Sequence, residues 1–328
     1  MKITLQHKYE DIISVENILE AWQEFLLGKR NKPDVQEFSL CLMNNVFNLH
    51  NDLSNHTYKH GGYQQFKIND PKPRTIHKAS VKDRLLHHAV YRILYPFFDK
   101  KFIADSFSCR NNKGTHKALN KFREFSYIVS KNNTNTCWIL KCDIKKFFAS
   151  VDQQILIKIL EKYISEKDII NFLKEIIFGF KPNGLPLGNL TSQLFANVYL
   201  NEFDQFVKHK LKVKYYIRYA DDFVILSENK NYLKNIIPEL KYYLKNNLKL
   251  EIHPNKIFIK TLNSGVDFLG WINFTDHRVL RTKTKNRILK RIKNNSSIET
   301  LNSYSGLLKH GNMNKMIKKL FKETEIAF

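Results

Sequence analysis

The stretch VKYYIRYADDFVIL, residues 213–226, carries the pattern that decides the fold. Two runs rich in β-branched and aromatic residues, 213–219 and 223–226, flank Ala220, Asp221 and Asp222. Such runs, separated by so short a polar segment, predict two antiparallel strands joined by a tight hairpin. A turn commonly has one Asp beside a Gly, whereas here two carboxylates stand together without a Gly. A divalent cation would stabilise such a pair, so the segment also predicts a metal site.

A third acid stands at the end of another predicted strand. Residues 137–144 form an apolar run that includes Asp143, and Asp152 is placed to cap the helix that follows. The later pattern adds a helix, the hairpin, a helix and a strand, which together predict an α+β fold with a β-α-β-β-α-β sheet. That sheet places its first strand beside the hairpin. We therefore expect Asp143 to join Asp221 and Asp222 in holding two metal ions, an arrangement that supports phosphoryl transfer.

The composition indicates a globular protein with a polyanionic partner. The 328 residues include 54 Lys and Arg against 31 Asp and Glu, a formal net charge of +23. Nucleic acid is the first candidate partner and an anionic membrane surface the second. A hydrophobic content of 43% excludes a disordered basic tail. No apolar stretch has membrane-spanning length. The four cysteines form no C-x-x-C pair, which argues against a zinc ribbon. In a chain of this length with no secretion signal, they predict reduced thiols in a cytoplasm.

Helical patterns occupy both ends of the chain. Ser14 is placed to cap a first helix, apolar steps of three and four predict a second over 35–53, and a third over 81–97 ends near Pro96. Between residues 278 and 293 there are eight Lys or Arg and no acid. That run is either a solvated helix face or a helix that contacts phosphates, and in a chain of this charge the second is at least equally favoured.

The sequence resembles the reverse transcriptases, in the correct order, from about residue 65 to residue 275. The matching boxes are KPRTI (72–76), DR (83–84), SFSCR (106–110), KGTH (113–116), DIKKFF (143–148), GLPLGNLTSQ (184–193), YADD (219–222) and FLGW (268–271). A lone YADD carries little weight, whereas a series of boxes in order identifies the family. DIKKFF and YADD resemble the two metal-binding boxes, and FLGW resembles the primer-grip hairpin.

The resemblance implies a right-hand polymerase with fingers, palm and a short helical thumb. Residues 1–64 are expected to form an N-terminal helical extension, 65–136 the fingers and 137–275 the palm with the primer grip. The palm range includes fingers and palm helices at 153–183, and residues 276–328 are expected to form a short basic thumb. The implied activity is that of an RNA-directed DNA polymerase, a nucleotidyltransferase that uses two Mg²⁺ ions, with Mn²⁺ as a substitute.

The resemblance also assigns roles to single residues. The implied metal ligands are Asp143, Asp221, Asp222 and the carbonyl of Ile144. Lys256 is implied to protonate the leaving pyrophosphate, with a solvated lysine as the alternative, and Phe148 to reject a 2′-hydroxyl as a steric gate. The remaining nucleotide-binding residues are implied to be Lys72, Arg74, Leu187, Gly188 and Gln193. The implied primer grip is Phe268, Leu269, Gly270 and Trp271. The implied backbone contacts are Arg84, Arg110, Arg287, Lys290 and Arg291.

One box departs from the common pattern of the family. Most reverse transcriptases have Gln before the Gly and Ser-Pro after it, whereas this chain has Leu187 before Gly188 and then Ser192-Gln193. This version is similar to that of diversity-generating retroelements, which copy a template RNA with frequent errors opposite adenine. Leu cannot hydrogen-bond near the nascent base pair, so shape alone would hold that pair. The alternative is that Leu187 only packs and that the box marks ancestry.

This resemblance implies a set of partners and leaves two other functions open. The implied partners are a template RNA, a DNA or RNA primer, dNTPs and a small helical accessory protein, and no membrane is expected among them. The implied location is the cytoplasm, for a protein that a prokaryote or a phage encodes. An antiviral-defence or group II intron-like reverse transcriptase that copies a noncoding RNA shares nearly every box. A non-catalytic RNA-binding scaffold has the same sheet architecture but leaves the three acids unexplained.

Overall fold

Local sequence signals set the element boundaries in this computed structural model, which describes residues 4–69, 73–294, 297–314 and 316. Ser14, Ser80, Asp152 and Ser297 each accept a hydrogen bond from the backbone N–H three residues later and so begin a helix. The caps predicted at Ser14 and Asp152 are thereby confirmed.

The described elements follow one another in a mixed order of helices and short strands. They are α1 (Tyr9–Ile13), α2 (Val15–Leu26), α3 (Pro33–Leu40), α4 (Leu42–Ser54), β1 (Gln64–Ile68), β2 (Arg74–Lys78), α5 (Val81–Asp99), α6 (Thr115–Val129), β3 (Trp138–Asp143), α7 (Phe147–Ser150), α8 (Gln153–Glu161), α9 (Lys167–Phe178), α10 (Leu190–Gln205), β4 (Tyr216–Tyr219), β5 (Asp222–Ser227), α11 (Lys230–Leu248), β6 (Phe258–Thr261), β7 (Val266–Phe268), β8 (Trp271–Asn273), β9 (Arg278–Leu280), α12 (Thr282–Asn294) and α13 (Ile298–Leu308).

Two helix predictions were wrong in detail. The single helix expected over 35–53 is two helices, because Cys41 between α3 and α4 leaves the helical region at φ −119° and ψ 37°. The helix expected to end near Pro96 runs through that proline to Asp99. Burial of Leu94, Tyr95 and Phe98 around Pro96 offsets the hydrogen bond that a proline removes from the helix.

The chain divides into two compact units, each assembled from three segments. Unit 1 comprises Met1–Ala104, Ile144–Lys212 and Leu240–Ile252, and unit 2 comprises Asp105–Asp143, Val213–Glu239 and His253–Phe328. Unit 1 is mostly helical. Trp22 and Phe25 of α2, like Leu85 and Ala89 of α5, lie at helical spacing and are buried. Each such large apolar side chain contributes roughly 1.5–3 kcal/mol when it is fully buried.

Unit 2 contains the predicted hairpin sheet. Its four strands are antiparallel in the order β4-β5-β3-β6, so the first strand, β3, lies beside the hairpin as predicted. A second sheet of this unit has the order β7-β8-β9. Phe122 of α6, Ile139 of β3 and Val224 of β5 meet Phe268 of β7 in one apolar cluster. The same cluster contains Ile288 of the basic helix α12, which anchors that helix by its apolar face.

All four cysteines of the chain are free thiols. None of the helices in the described residues has the length and apolar content that a membrane span requires.

Candidate active site

The strand register of unit 2 brings the three predicted acids to one end of the sheet. Asp143, the last residue of β3, pairs directly with Asp222, the first residue of β5. Tyr219 pairs with Asp222 across the hairpin, so that Ala220 and Asp221 are the two central residues of the turn. Ala220 has a positive φ of 52°. The sequence therefore predicted both the hairpin and the neighbouring position of Asp143, although the turn is one residue shorter than expected.

Arg218 holds this turn, and sequence analysis did not single it out. Its side chain is fully buried, and its Nη1 donates a hydrogen bond to the carbonyl of Ala220 at 3.2 Å. Its backbone N–H donates to Asp105 and its carbonyl accepts from Phe107. A buried guanidinium is costly unless it is hydrogen-bonded, so Arg218 is well placed to fix the Asp221 turn. The signal was present in the sequence as an arginine inside an otherwise apolar strand.

Two lysines neutralise part of the carboxylate charge. Nζ of Lys256 donates to Oδ1 of Asp143 at 2.8 Å, and Nζ of Lys141 lies 3.5 Å from Oδ1 of Asp222. Lys256 was predicted near the site, and the structure brings it to Asp143. Lys141 was missed, although a lysine in the middle of the apolar run 137–144 is a visible anomaly.

Charge crowding shifts the acids toward protonation. Burial, followed by the charges of Asp222 and Asp143, raises the pKa of Asp221 from its ordinary value of 3.8 to about 6, and Lys256 opposes this shift. Burial also raises the pKa of Asp222, against the opposing charge of Lys141. Three carboxylates with two lysines therefore leave unbalanced negative charge, which a cation bound there would relieve.

The acids have the chemistry that a magnesium site requires. Carboxylate oxygens are the ligands that Mg²⁺ prefers, and Oδ1 of Asp222 is buried at 3.5 Å from the Nζ of Lys141. Among the described residues there is no group of three His, Cys, Asp or Glu side chains that could already hold one ion. Ile144, whose carbonyl was the fourth predicted ligand, is buried and forms a bridge with Ile252 in unit 1. The metal site therefore stays a prediction, and the carboxylates that the structure brings together are suitable ligands for it.

The predicted nucleotide box, residues 184–193, is held by a buried glutamine in unit 1. Gly184 has a φ of +89°, and a Cβ there would lie 2.6 Å from the carbonyl of Phe148, so only glycine fits. Nε2 of Gln153 lies within hydrogen-bond distance of the carbonyls of Ile177, Phe180 and Gly184, which share its two N–H donors. Sequence analysis missed Gln153, because its partners are backbone carbonyls that lie 24 to 31 residues away.

The fingers hairpin of unit 1 contacts the same box. The N–H of His77 in β2 donates to the carbonyl of Leu187 at 2.8 Å. Gly188 has a φ of +118°, and a Cβ there would lie 2.9 Å from Cγ2 of Ile76. Asn189, which precedes α10, is buried, and within the described part of the chain neither its Oδ1 nor its Nδ2 has a hydrogen-bond partner. Such an orphaned amide is an unusual feature, and nothing in the sequence pattern marked it.

The other predicted nucleotide contacts also belong to unit 1. Phe148, in α7, is half-buried, and its carbonyl accepts a hydrogen bond from Leu185 at 2.7 Å. Arg74 is exposed at the start of β2, and Gln193 is half-buried in α10. Lys72 lies outside the described residues. The structure therefore brings Phe148, Leu187 and Gly188 to one loop region of this unit, and their roles stay predictions.

The predicted primer grip is a tight hairpin in unit 2. Phe268 of β7 pairs with Trp271 of β8, and both side chains are buried. Leu269 and Gly270 between them have positive φ values of 52° and 87°, which is the pattern of a two-residue type I′ turn. Nη2 of Arg281 donates to Oδ1 of Asp267 at 2.6 Å and ties the chain after β9 to this hairpin.

The predicted backbone-contacting residues differ in their surroundings. Arg84 forms an ion pair with Asp34 at 2.5 Å, and Nη1 of Arg110 donates to the carbonyl of Ser106. Lys290 and Arg291 are exposed on α12, and Arg287 of the same helix is half-buried. The helix thus presents basic residues opposite its buried Ile288 and Ile292.

Known proteins share sequence with this chain over much of its length. A family model described as reverse transcriptase (RNA-dependent DNA polymerase) matches residues 62–273, more than half of the chain. The chain is 24% identical over 255 residues to Protein YkfC of Escherichia coli (strain K12), covering 65% of each. It is 27% identical over 312 residues to the group II intron-encoded protein LtrA of Lactococcus lactis subsp. cremoris, covering 72% of this chain and 50% of LtrA. The chain thus spans less than two thirds of either relative.

Solved structures share the fold at low sequence identity. The telomerase of Candida albicans, in complex with a TWJ fragment of telomeric RNA, has a TM-score of 0.53 and 13% identity over 82% of this chain and 56% of its own. The apo telomerase of Candida tropicalis also has a TM-score of 0.53 and 13% identity, over 69% of this chain and 49% of its own. The predicted α+β right-hand polymerase fold is confirmed by this likeness. The match over residues 62–273, which contain all three acids, shows that the chain belongs to the reverse transcriptase (RNA-dependent DNA polymerase) family.

Proposed function

We propose that the protein is an RNA-directed DNA polymerase that copies a dedicated template RNA into cDNA. The observation that carries the proposal is the pairing of Asp143 with Asp222 at the sheet end, with Asp221 in the adjoining turn. Asp143, Asp221, Asp222 and the carbonyl of Ile144 are proposed to hold two Mg²⁺ ions, for which Mn²⁺ can substitute. When bound, the ions supply electrostatic stabilisation of the charge that develops in phosphoryl transfer.

Other residues of the chain are proposed to bind the nucleotide, to select its sugar and to protonate the leaving group. Lys256, which now donates to Asp143, is proposed to protonate the leaving pyrophosphate. Phe148 is proposed to stand below the sugar of the incoming nucleotide, where an aromatic ring excludes a 2′-hydroxyl by contact. The nucleotide phosphates are proposed to bind Arg74 and Lys72. Arg218 keeps the Asp221 turn in one conformation, so that the carboxylate needs no rearrangement during the reaction.

The direct test is primer extension on an RNA template. The purified chain, a DNA primer annealed to an RNA template, dNTPs and Mg²⁺ should give primer extended to the template end. A chelator should abolish the product, and ribonucleotides should be incorporated poorly because of Phe148. Extension that ignored the template sequence, or no extension in either Mg²⁺ or Mn²⁺, would refute the proposal.

We also propose the domain limits and the surroundings that the sequence implied. The extension is residues 1–64, the fingers 65–136, the palm 137–275 and the thumb 276–328, and the primer grip is Phe268 to Trp271. The partners are proposed to be a template RNA, a DNA or RNA primer and dNTPs in the cytoplasm of a prokaryote or a phage-infected cell. Limited proteolysis of the RNA-bound protein would test whether cleavage falls at these limits.

For the biological role, we propose mutagenic copying in a diversity-generating retroelement, with a small helical accessory protein. Support comes from the departure of Leu187 and of Ser192-Gln193 from the common box. The half-buried Leu187, whose carbonyl accepts from His77, offers the nascent pair no side-chain hydrogen bond. A template repeat and a matching variable repeat beside the gene are expected, and their absence would contradict this role.

Leu187→Gln tests the fidelity argument. We expect this variant to misincorporate less often, above all opposite template adenine, because the amide restores a hydrogen bond worth about 1 kcal/mol. Expressed fully in discrimination, that is roughly a fivefold lower error ratio. The measurement is sequencing of cDNA that both proteins make from one RNA. Equal error rates at adenine would show that Leu187 does not set fidelity.

A second candidate role is that of a group II intron-like or defence reverse transcriptase that copies a noncoding RNA. It is favoured by the 27% identity to LtrA, a group II intron-encoded protein. Sequencing the RNA that co-purifies with the protein separates the two roles. Intron-derived RNA or a single structured noncoding RNA supports the second role, whereas a repeat-derived template supports the first.

A further inference from the structure

One face of α6 meets the β8–β9 turn and forms a pocket in unit 2. Arg123 and Ser126 line it from α6, and Asn273, His277 and Arg278 line it from the β8–β9 hairpin. Phe122 and Phe274 add aromatic side chains to the lining. None of these residues belongs to the site that contains Asp143, Asp221 and Asp222.

Arg278 is held rigidly in this pocket with one donor left over. Its Nε donates to the carbonyl of His310, its Nη2 donates to Oδ1 of Asn120 at 3.3 Å, and its guanidinium lies over the ring of Trp271. Its Nη1 is buried and has no hydrogen-bond partner among the residues that the structure describes. Asn312 donates its N–H to the carbonyl of Arg278, which fixes the backbone as well. The side chain is therefore pre-organised around an unused donor.

Positive charge at this place exceeds negative charge. Burial and the charge of Arg123 lower the pKa of Arg278, and burial with the charges of His310 and Arg278 lowers the pKa of His116 nearby. The one acid that lines the pocket, Asp276, accepts from Asn133 and forms no ion pair among the described residues. A bound anion would reduce the repulsion between Arg123 and Arg278 and would accept a hydrogen bond from the Nη1 of Arg278.

We infer that Arg123 and Arg278, which line the same pocket, form a subsite for a phosphate of the RNA backbone, separate from the polymerase site. The exposed Arg123 can offer two parallel N–H donors to a phosphate, and Nη1 of Arg278 can add a further charge-assisted hydrogen bond. The net charge of +23 makes a polyanion the natural occupant. The subsite rests on the proposed function only in that RNA is the expected polyanion.

Removal of one charge at the exposed Arg123 tests this subsite. Arg123→Gln keeps a good helix former, so the fold of α6 should persist. Binding of a labelled single-stranded RNA is measured without dNTPs or Mg²⁺, from 50 to 200 mM salt. We expect the slope of log K against log salt to fall by about 0.7, so that the decrease in affinity over this range becomes about two- to threefold smaller. Primer extension on a short template should be unchanged.

The matched control removes an equal charge from the same helix. Lys121 already forms an ion pair with Glu124, so Lys121→Gln should leave the salt slope unchanged. An Arg123→Gln slope equal to that of the unaltered chain, or an equal decrease in Lys121→Gln, would overturn the subsite. Binding of inorganic phosphate that depends on Arg123, with an unchanged RNA slope, would overturn the RNA assignment. A chain that binds RNA in this way but makes no DNA would refute the proposed function and leave the subsite standing.

Discussion

At the scale of single residues, the backbone conformation of Ala220 decides where the carboxylate of Asp221 lies. Asp221 occupies a turn whose first central residue, Ala220, has positive φ, a conformation that costs a residue with a side chain some strain. Arg218 donates to the Ala220 carbonyl and so helps to offset that strain from within the sheet. The position of Asp221 relative to Asp143 therefore depends on a buried arginine that takes no part in the proposed chemistry.

The orphaned amide of Asn189 should limit stability. Asn189→Leu replaces a buried amide without partners by an apolar side chain of similar shape, so we expect the free energy of unfolding to rise by about 1–3 kcal/mol. Urea unfolding measures this change. The matched control is Asn17, whose buried Nδ2 donates to the carbonyls of Ile12 and Ala89, and there the same substitution should destabilise the protein. A decrease in stability in both variants would show that Asn189 has a partner after all.

At the scale of elements, a buried histidine links α5 to α10. Nδ1 of His87 and Oγ1 of Thr191 lie 2.7 Å apart, and Nε2 of His87 lies 3.3 Å from Nε2 of His60. Burial, helped by the charge of His60, lowers the pKa of His87 from 6.5 to about 3. Thr191 lies in the first turn of α10, shortly after the Leu187-Gly188 pair, so this contact holds the last part of the proposed nucleotide box against α5.

That contact predicts a pH dependence of stability. The unfolded chain takes up a proton near pH 6.5, which folded His87 does not accept until about pH 3. The stability that neutral His87 contributes to the folded protein is therefore complete above pH 6.5. It is lost as the pH falls from 6.5 towards 3, by about 1.4 kcal/mol of unfolding free energy per pH unit. His87→Gln should remove this part of the slope of unfolding free energy against pH. The exposed His209 provides the control, and equal slopes in His87→Gln and His209→Gln would contradict the prediction.

The basic helix α12 is the second element with a testable role. Ile288 and Ile292 anchor it in the unit 2 core, which leaves Lys290 and Arg291 exposed. Charge reversal of Arg287, Lys290 and Arg291 to Glu should weaken primer–template binding for all sequences. The slope of log K against log salt should fall by roughly 0.9 for each phosphate that the helix no longer neutralises.

The control for α12 is an equal charge reversal on another helix. Lys234, Lys241 and Lys245 are exposed on α11, and no nucleic-acid role is predicted for them. Their reversal to Glu should change the salt slope much less than the α12 triple variant does. Equal slopes in the two triple variants would show that the basic residues of α12 form a solvated helix face and do not contact phosphates.

At the scale of the whole molecule, the sequence predicted the sheet because its signals are local. The strand runs around residues 213–226 and the caps at Ser14 and Asp152 each depend on neighbours within a few positions. Asp143 could be placed beside Asp222 because few topologies fit the element order. Gln153 could not be predicted, since the carbonyls around its amide come from segments 24 to 31 residues away, and no local pattern marked the buried amide of Asn189. The break at Cys41 and the passage of α5 through Pro96 likewise depend on tertiary packing.

The central claim is that Asp143, Asp221 and Asp222 support RNA-templated DNA synthesis, and Asp221→Asn tests it most directly. Single-nucleotide incorporation on an RNA template with a DNA primer is measured in Mg²⁺, together with RNA affinity. We predict that the unaltered chain incorporates the complementary dNTP, and that Asp221→Asn is slower by about 10²-fold or more with RNA affinity unchanged, because the missing charge no longer supports the transition state. Glu228→Gln, at an exposed acid of the same unit, should behave as the unaltered chain. Incorporation by Asp221→Asn within about threefold of the unaltered rate would contradict the account.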